Sequence, residues 1–133
     1  MKLTDNLWMR LCMICLFVVP LSANAAEYSC DVSSKRTFDR VYTTDELTKL
    51  KWSVKIVDNG DTAVLSRCSF SASANSVTCD DYPTDFAHQS STGIKKYYYF
   101  RGHFDVQLFP DLSFIENNGR GSIAGGTCRL TRL

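Results

Sequence analysis

The stretch Tyr97–Arg120 reads YYYFRGHFDVQLFPDLSFIENNGR. Its even positions from Tyr98 are Tyr98, Phe100, Gly102, Phe104, Val106 and Leu108, and its odd positions from Tyr99 are Tyr99, Arg101, His103, Asp105 and Gln107. This period of two belongs to a β-strand with one buried face, because successive side chains leave a strand on opposite sides. Pro110-Asp111 then predicts a turn and Ser113 to Glu116 a returning strand. Asn118-Gly119 predicts a two-residue hairpin turn, since that dipeptide accepts positive φ. The segment is expected to be the spine of a small antiparallel β-domain.

On the N-terminal side of this spine, Trp52, Val54 and Ile56 again alternate, and Asp58-Asn59-Gly60-Asp61 predicts a second hairpin. Pairing across it would set Ile56 opposite Ala63, Val54 opposite Leu65 and Trp52 opposite Arg67. The apolar face then switches to Cys68 and Phe70, so a bulge is expected near Ser66. Thr84 to Gly93, TDFAHQSSTG, has no period and is expected to be the one long mobile loop, pinned by Phe86. Tyr28, Cys30 and Val32 share one face of a first strand, and Thr37 to Tyr42 would continue it after a bend at Ser33-Ser34. Thr43 followed by Glu46 forms a capping box, with Asp45 in the first turn and Leu47 and Leu50 on one side, so a short helix is expected there. Gly121, Gly125 and Gly126 in the closing segment suit sharp bending or close backbone approach. Together these elements predict an all-β fold, a small antiparallel β-barrel of seven or eight strands with one short helix, with a two-sheet sandwich as the alternative. No internal repeat or linker divides residues 26–133, so a single domain is expected.

Residues 1–25 have a different character. Lys2 and Arg10 precede the apolar run LCMICLFVVPL at Leu11–Leu21, and Ala23-Asn24-Ala25 follows, which is the pattern of a cleaved secretory signal peptide. The run is shorter than the roughly twenty residues of a spanning helix. Cleavage after Ala25 and no membrane insertion afterwards are therefore expected. Loss of Lys2, Asp5 and Arg10 would leave 13 basic and 13 acidic side chains. Without net positive charge or a basic run longer than Lys95-Lys96, the chain lacks the field that nucleic-acid binding requires.

Cys30, Cys68, Cys79 and Cys128 remain. An even number in a short exported chain predicts two disulfides made in an oxidising compartment, so the location is expected to be periplasmic or secreted. In a hairpin turning at Ser73-Ala74, Phe70 faces Val77 and Cys68 faces Cys79. Cys30 would then pair with Cys128 and tie the first strand to the last. No CxxC occurs among these four cysteines, and His88 and His103 have no ligand-like spacing to them, so no metal and no cofactor are expected.

The candidate site is the strip Tyr97, Tyr99, Arg101, His103, Asp105 and Gln107. Side chains two apart on a strand share a face at about 6–7 Å, so His103 would lie between a cation and a carboxylate. A serine from another strand could complete an imitation of a hydrolytic triad, which makes a small hydrolase one alternative. No nucleophile motif accompanies the strip, so no catalytic residue is assigned. Aromatic side chains beside arginine are the composition of a protein-binding patch. The expected function is a protein-binding module without catalytic activity, using this strip and the Thr84–Gly93 loop. GRGSIAGGT lacks the lysine of a phosphate loop, and Asp80, Asp81 and Asp85 lack the glycine pattern of a calcium loop.

The segment FDVQLFPDLSFIENNGRGSIAGGTCR, with YSCDV near the start and LSRCSFS in the middle, resembles small exported proteins of unassigned function in alphaproteobacteria. The resemblance covers most of residues 26–133 and implies export, with no catalytic residue carried over. Some such proteins of host-associated bacteria pass onward into host cells, so it also implies a virulence effector with a host partner as an alternative. In size and compartment alone, the expected domain is similar to bacterial inhibitors of lysozyme, whose loop motifs are not recognisable here.

Overall fold

A computed structural model describes residues 25–133, and in it the alternating segments become nine strands. They are β1 (Ala26–Arg36), β2 (Ser53–Asp58), β3 (Ala63–Ser71), β4 (Ser76–Pro83), β5 (Phe86–Gln89), β6 (Lys95–Tyr99), β7 (Phe104–Leu108), β8 (Ser113–Asn117) and β9 (Ile123–Arg132), with one helix, α1 (Thr44–Leu50), between β1 and β2. The leader expected over residues 1–25 lies, apart from Ala25, outside the described residues. All pairings are antiparallel, in one sheet ordered β4-β3-β2-β1-β9-β8-β7-β6-β5. The first and last strands are neighbours at its centre, where Cys30 stands opposite Cys128 and is bonded to it. Cys68 stands opposite Cys79 in the β3–β4 hairpin and forms the second disulfide.

The sheet of nine strands is a curled half-barrel, where a closed or nearly closed barrel of seven or eight strands is expected from the sequence. Side chains from strands far apart in its order meet inside it. Tyr82 of β4 packs edge-on against Phe104 of β7 with centroids 5.4 Å apart, and Arg67 of β3 reaches Glu116 of β8 at 2.8 Å. Among the described residues the backbone joins the two ends at one corner: the Thr84 N–H donates to the Ala63 carbonyl of β3, and the Asp85 N–H donates to the Tyr98 carbonyl of β6. Val54, Ile56, Leu65, Tyr97, Phe104, Val106 and Phe114 fill the space between. Each such side chain contributes roughly 1.5–3 kcal/mol when fully buried.

The extra strands come from two segments that local pattern misreads. Phe100–Gly102 form a 3-10 turn and His103 takes φ 50°, so the expected spine strand is two strands of a hairpin. Paired residues on β6 and β7 are odd against even, Tyr99 with Phe104 and Tyr97 with Val106, so the alternation runs unbroken through a reversal of direction. The expected Thr84–Gly93 loop contains β5, which pairs with β6 from Phe86 opposite Tyr98 to Gln89 opposite Lys95. Phe86 is exposed and does not pin a loop.

Other expectations shift in register. The second hairpin closes through a four-residue loop, with the Asn59 N–H donating to the Thr62 carbonyl. Ile56 therefore faces Leu65 and Val54 faces Arg67, and the ladder is regular through Ser66. The change of face that suggested a bulge arises because Arg67 turns inward to its carboxylate. Asn118-Gly119 belongs to a longer loop in which the Asn118 N–H reaches the Ser122 carbonyl. Thr37 to Arg40 form a turn, closed by an Arg36–Val41 bridge, and do not prolong β1 as a strand. The Thr43/Glu46 capping box is present. Close backbone approach explains Gly126, where a Cβ would overlap the Asp31 carbonyl oxygen.

Candidate binding groove

The hairpin at Phe100–His103 separates the six residues of the candidate strip. Tyr97 and Tyr99 pair with Val106 and Phe104 on the inner side. Arg101 and His103 lie exposed in the turn between the strands. Asp105 and Gln107 occupy the outer side of β7, opposite Tyr98 and Lys96. Among the described residues no hydrogen bond joins His103 to Asp105, whose carboxylate faces Lys96 at 3.7 Å. The strip is therefore not one surface, and only Asp105 and Gln107 of the six share an outward face.

Two polar clusters bridge the curl from inside. At one mouth, Asp58 Oδ1 accepts the Gly60 N–H at 2.8 Å, and Oδ2 accepts Lys95 Nζ at 2.7 Å and Tyr97 Oη at 2.8 Å. Lys95 also donates to Tyr28 Oη at 3.2 Å. Burial pushes the Asp58 carboxyl up, but the bonds from Lys95, Gly60 and Tyr97 overcome it and hold the group below its ordinary value. Burial pulls Lys95 down, and its bonds to Asp58 and Tyr28 outweigh that and leave it raised. Burial, with the bond to Asp58, drives the Tyr97 phenol far above its ordinary value. A cavity of about 470 Å³ opens on this cluster. Both Asp58 oxygens are already engaged by the protein, so the cluster is a clamp between β2 and β6. At the other mouth Glu116 is buried against Arg67, whose guanidinium lies over the Phe104 ring at 4.9 Å. Lys35 sits over Trp52 at 4.1 Å, and burial lowers its pKa against the pull of Glu116.

The outer side of the sheet is different in kind. Register places Arg36, Ile123, Asn117, Asp105, Tyr98 and Phe86 in one row across β1, β9, β8, β7, β6 and β5. The next row carries Ile115 and Gly125 side by side. At the β1–β9 end of these rows the Thr37–Arg40 turn holds Phe38, which is 96% exposed, and Val41 follows at 68%. The turn is shaped by Thr37 Oγ1 donating to Asp39 Oδ1 at 2.7 Å and by the Thr37 N–H donating to the Arg40 carbonyl at 2.9 Å. Gly121, at φ 84°, lies under the Phe38 ring, where a Cβ would overlap it. Two adjoining depressions of about 380 and 440 Å³ result, one floored by Ile115, Ala124 and Gly125, the other by Asn117 and Gly121. Both share Ile123 and Arg36, and among the described residues no carboxylate lines either.

No protein-family model, curated protein or solved structure matches the chain. The groove residues were not singled out by periodicity, because Phe38 and Val41 lie in a segment that alternates like a strand. The Thr37-x-Asp39 spacing is the signal that marks a side-chain-stabilised turn there.

Proposed function

We propose that the chain is an exported, non-enzymatic protein-binding module, periplasmic or secreted, which holds its partner in the Phe38 groove. The observation that carries this reading is the exposure of Phe38, Val41, Ile115 and Ile123 together over one sheet face. Scattered apolar side chains on a surface need no explanation, whereas a contiguous apolar depression is the usual mark of an interaction site. Its rigid backing supports the same reading, since the groove lies on the strand β9 that Cys128 ties to β1. Preorganised surfaces lose less conformational entropy on binding. Two disulfides are consistent with an oxidising, non-cytoplasmic environment. The hydrolytic alternative has no comparable support, because His103 and Asp105 occupy separate places in the β6–β7 hairpin.

Two experiments test the proposal. A reporter active only after export, fused at Leu133, is expected to be active in cells and to lose activity when residues 1–25 are deleted. Affinity capture from extracytoplasmic extract with the wild type and with a Phe38→Ser/Ile123→Ser variant is expected to retain a partner on the wild type alone. Equal capture by both would remove the groove as the binding surface.

A further inference from the structure

Resting on that reading, we infer that the groove takes an extended protein segment in which an apolar side chain is followed closely by a carboxylate. The apolar side chain enters beside Phe38 and Ile123, and the carboxylate meets Arg36. The charge inventory around the groove gives the reason. Arg36 lines both depressions and has no ion-pair partner among the described residues. The nearest cation of the turn, Arg40, is already engaged by Glu46, which also caps α1. Lys35, on the neighbouring position of β1, turns its ammonium the other way onto Trp52. The groove thus offers one exposed, unpaired guanidinium where two apolar depressions adjoin, and a carboxylate is the group that its planar, paired donors match.

Other occupants fit less well. A second copy docked about a two-fold axis would present the same basic, carboxylate-free groove to itself, so that Arg36 would face like charge. An anionic bilayer is drawn to clusters of several free cations, whereas here Arg40 is paired with Glu46, Lys35 is engaged with Trp52, and Arg36 is the unpaired cation that lines both depressions. Gly125, without a side chain beside Ile115, leaves the floor low enough for an incoming backbone to lie along β9.

The probe is a displayed library of random heptapeptides, selected on the immobilised oxidised protein. Enriched peptides are expected to carry Asp or Glu within two residues of a large apolar side chain. Arg36→Glu is expected to weaken a representative enriched peptide about tenfold or more by fluorescence anisotropy, and to redirect selection towards Lys and Arg. Arg36→Lys should keep part of the affinity and Ile123→Ser should lose it, with circular dichroism showing the fold retained in each variant. Enriched peptides that need Phe38 and Ile123 but are indifferent to Arg36→Glu would overturn the acidic chemistry and leave the groove standing as a binding site. Peptides indifferent to all these variants would overturn both. The inference also fails if nothing is enriched over a bare surface. It fails equally if Phe38→Ser abolishes co-sedimentation with phosphatidylglycerol–phosphatidylcholine vesicles, or a dimer seen by sedimentation velocity, while peptides do not bind.

Discussion

The Tyr97 hydroxyl donates to Asp58 Oδ2 at 2.8 Å, joining β6 to β2 although four strands separate them in the sheet order. This bond and the Lys95–Asp58 pair tie the two sides of the curl together at one mouth. Tyr97→Phe keeps the ring and removes one donor to a buried carboxylate, so it is expected to cost about 1.5–3 kcal/mol. Urea unfolding would read this as a lower midpoint with an unchanged slope.

The same cluster gives stability a defined pH window. Asp58 has a folded pKa below its ordinary 3.8, so its contribution is fully present above that value and is lost as pH falls through the folded one. Lys95 has a folded pKa above its ordinary 10.5, so its contribution is fully present below that value and is lost as pH rises through the folded one. The pair therefore stabilises the fold between about pH 4 and about pH 10.5, and less on either side. In Asp58→Asn the acid-side decline measured by urea midpoints should become shallower than in the wild type.

Arg67 and Glu116 clamp the other mouth, with Glu116 the more buried partner. Arg67→Met leaves that carboxylate with Lys35 as its remaining cationic neighbour and is expected to cost about 2–3 kcal/mol. Arg67→Met/Glu116→Leu should recover a substantial part, because it removes the stranded charge as well as the bond. A double-mutant cycle with additive effects would show that the pair is not coupled.

The two disulfides should differ in both contribution and access. Cys30–Cys128 closes a span of 98 residues and Cys68–Cys79 one of 11. In the chain-entropy view these are worth about 4.7 and about 3 kcal/mol, so the Cys30→Ala/Cys128→Ala variant should be the less stable of the paired replacements. Cys30 and Cys128 are buried whereas Cys79 is exposed, so mild reductant is expected to open Cys68–Cys79 first. Mass mapping of alkylated thiols after partial reduction checks the order.

Gly126→Ala should destabilise by about 1–3 kcal/mol, because the new Cβ meets the Asp31 carbonyl in the neighbouring strand. Gly60→Ala meets no neighbouring atom and carries only the strain of its φ of 91°. Thermal unfolding should rank Gly126→Ala below Gly60→Ala.

Much of the architecture is written in short-range pattern. Cys68 and Cys79 flank a turn at equal distance, so their pairing can be read from the hairpin they belong to. Thr43 and Glu46 have the spacing of a reciprocal cap, and the helix begins there. The candidate strip misled because Phe100–His103 reverses the chain without interrupting alternation. Tyr97 and Tyr99 then share a side with Phe104 and Val106, leaving Asp105 on the other. The groove is not legible in the sequence because Phe38 is brought near Ile123 through the β1–β9 pairing, with about 85 residues between them.

The amino-acid order alone determined the antiparallel all-β character, the pairing of the four cysteines and the start of the helix, since each depends on residues near one another or on elimination among few partners. Tertiary structure alone decided that the sheet curls without closing, that Asp58 meets Tyr97 and Arg67 meets Glu116, and that Phe38, Arg36 and Ile123 share a surface. Alternation tells a strand that it has two sides. Which side faces the core depends on the parity of each turn and on strands distant in the chain, and only the folded sheet supplies that information.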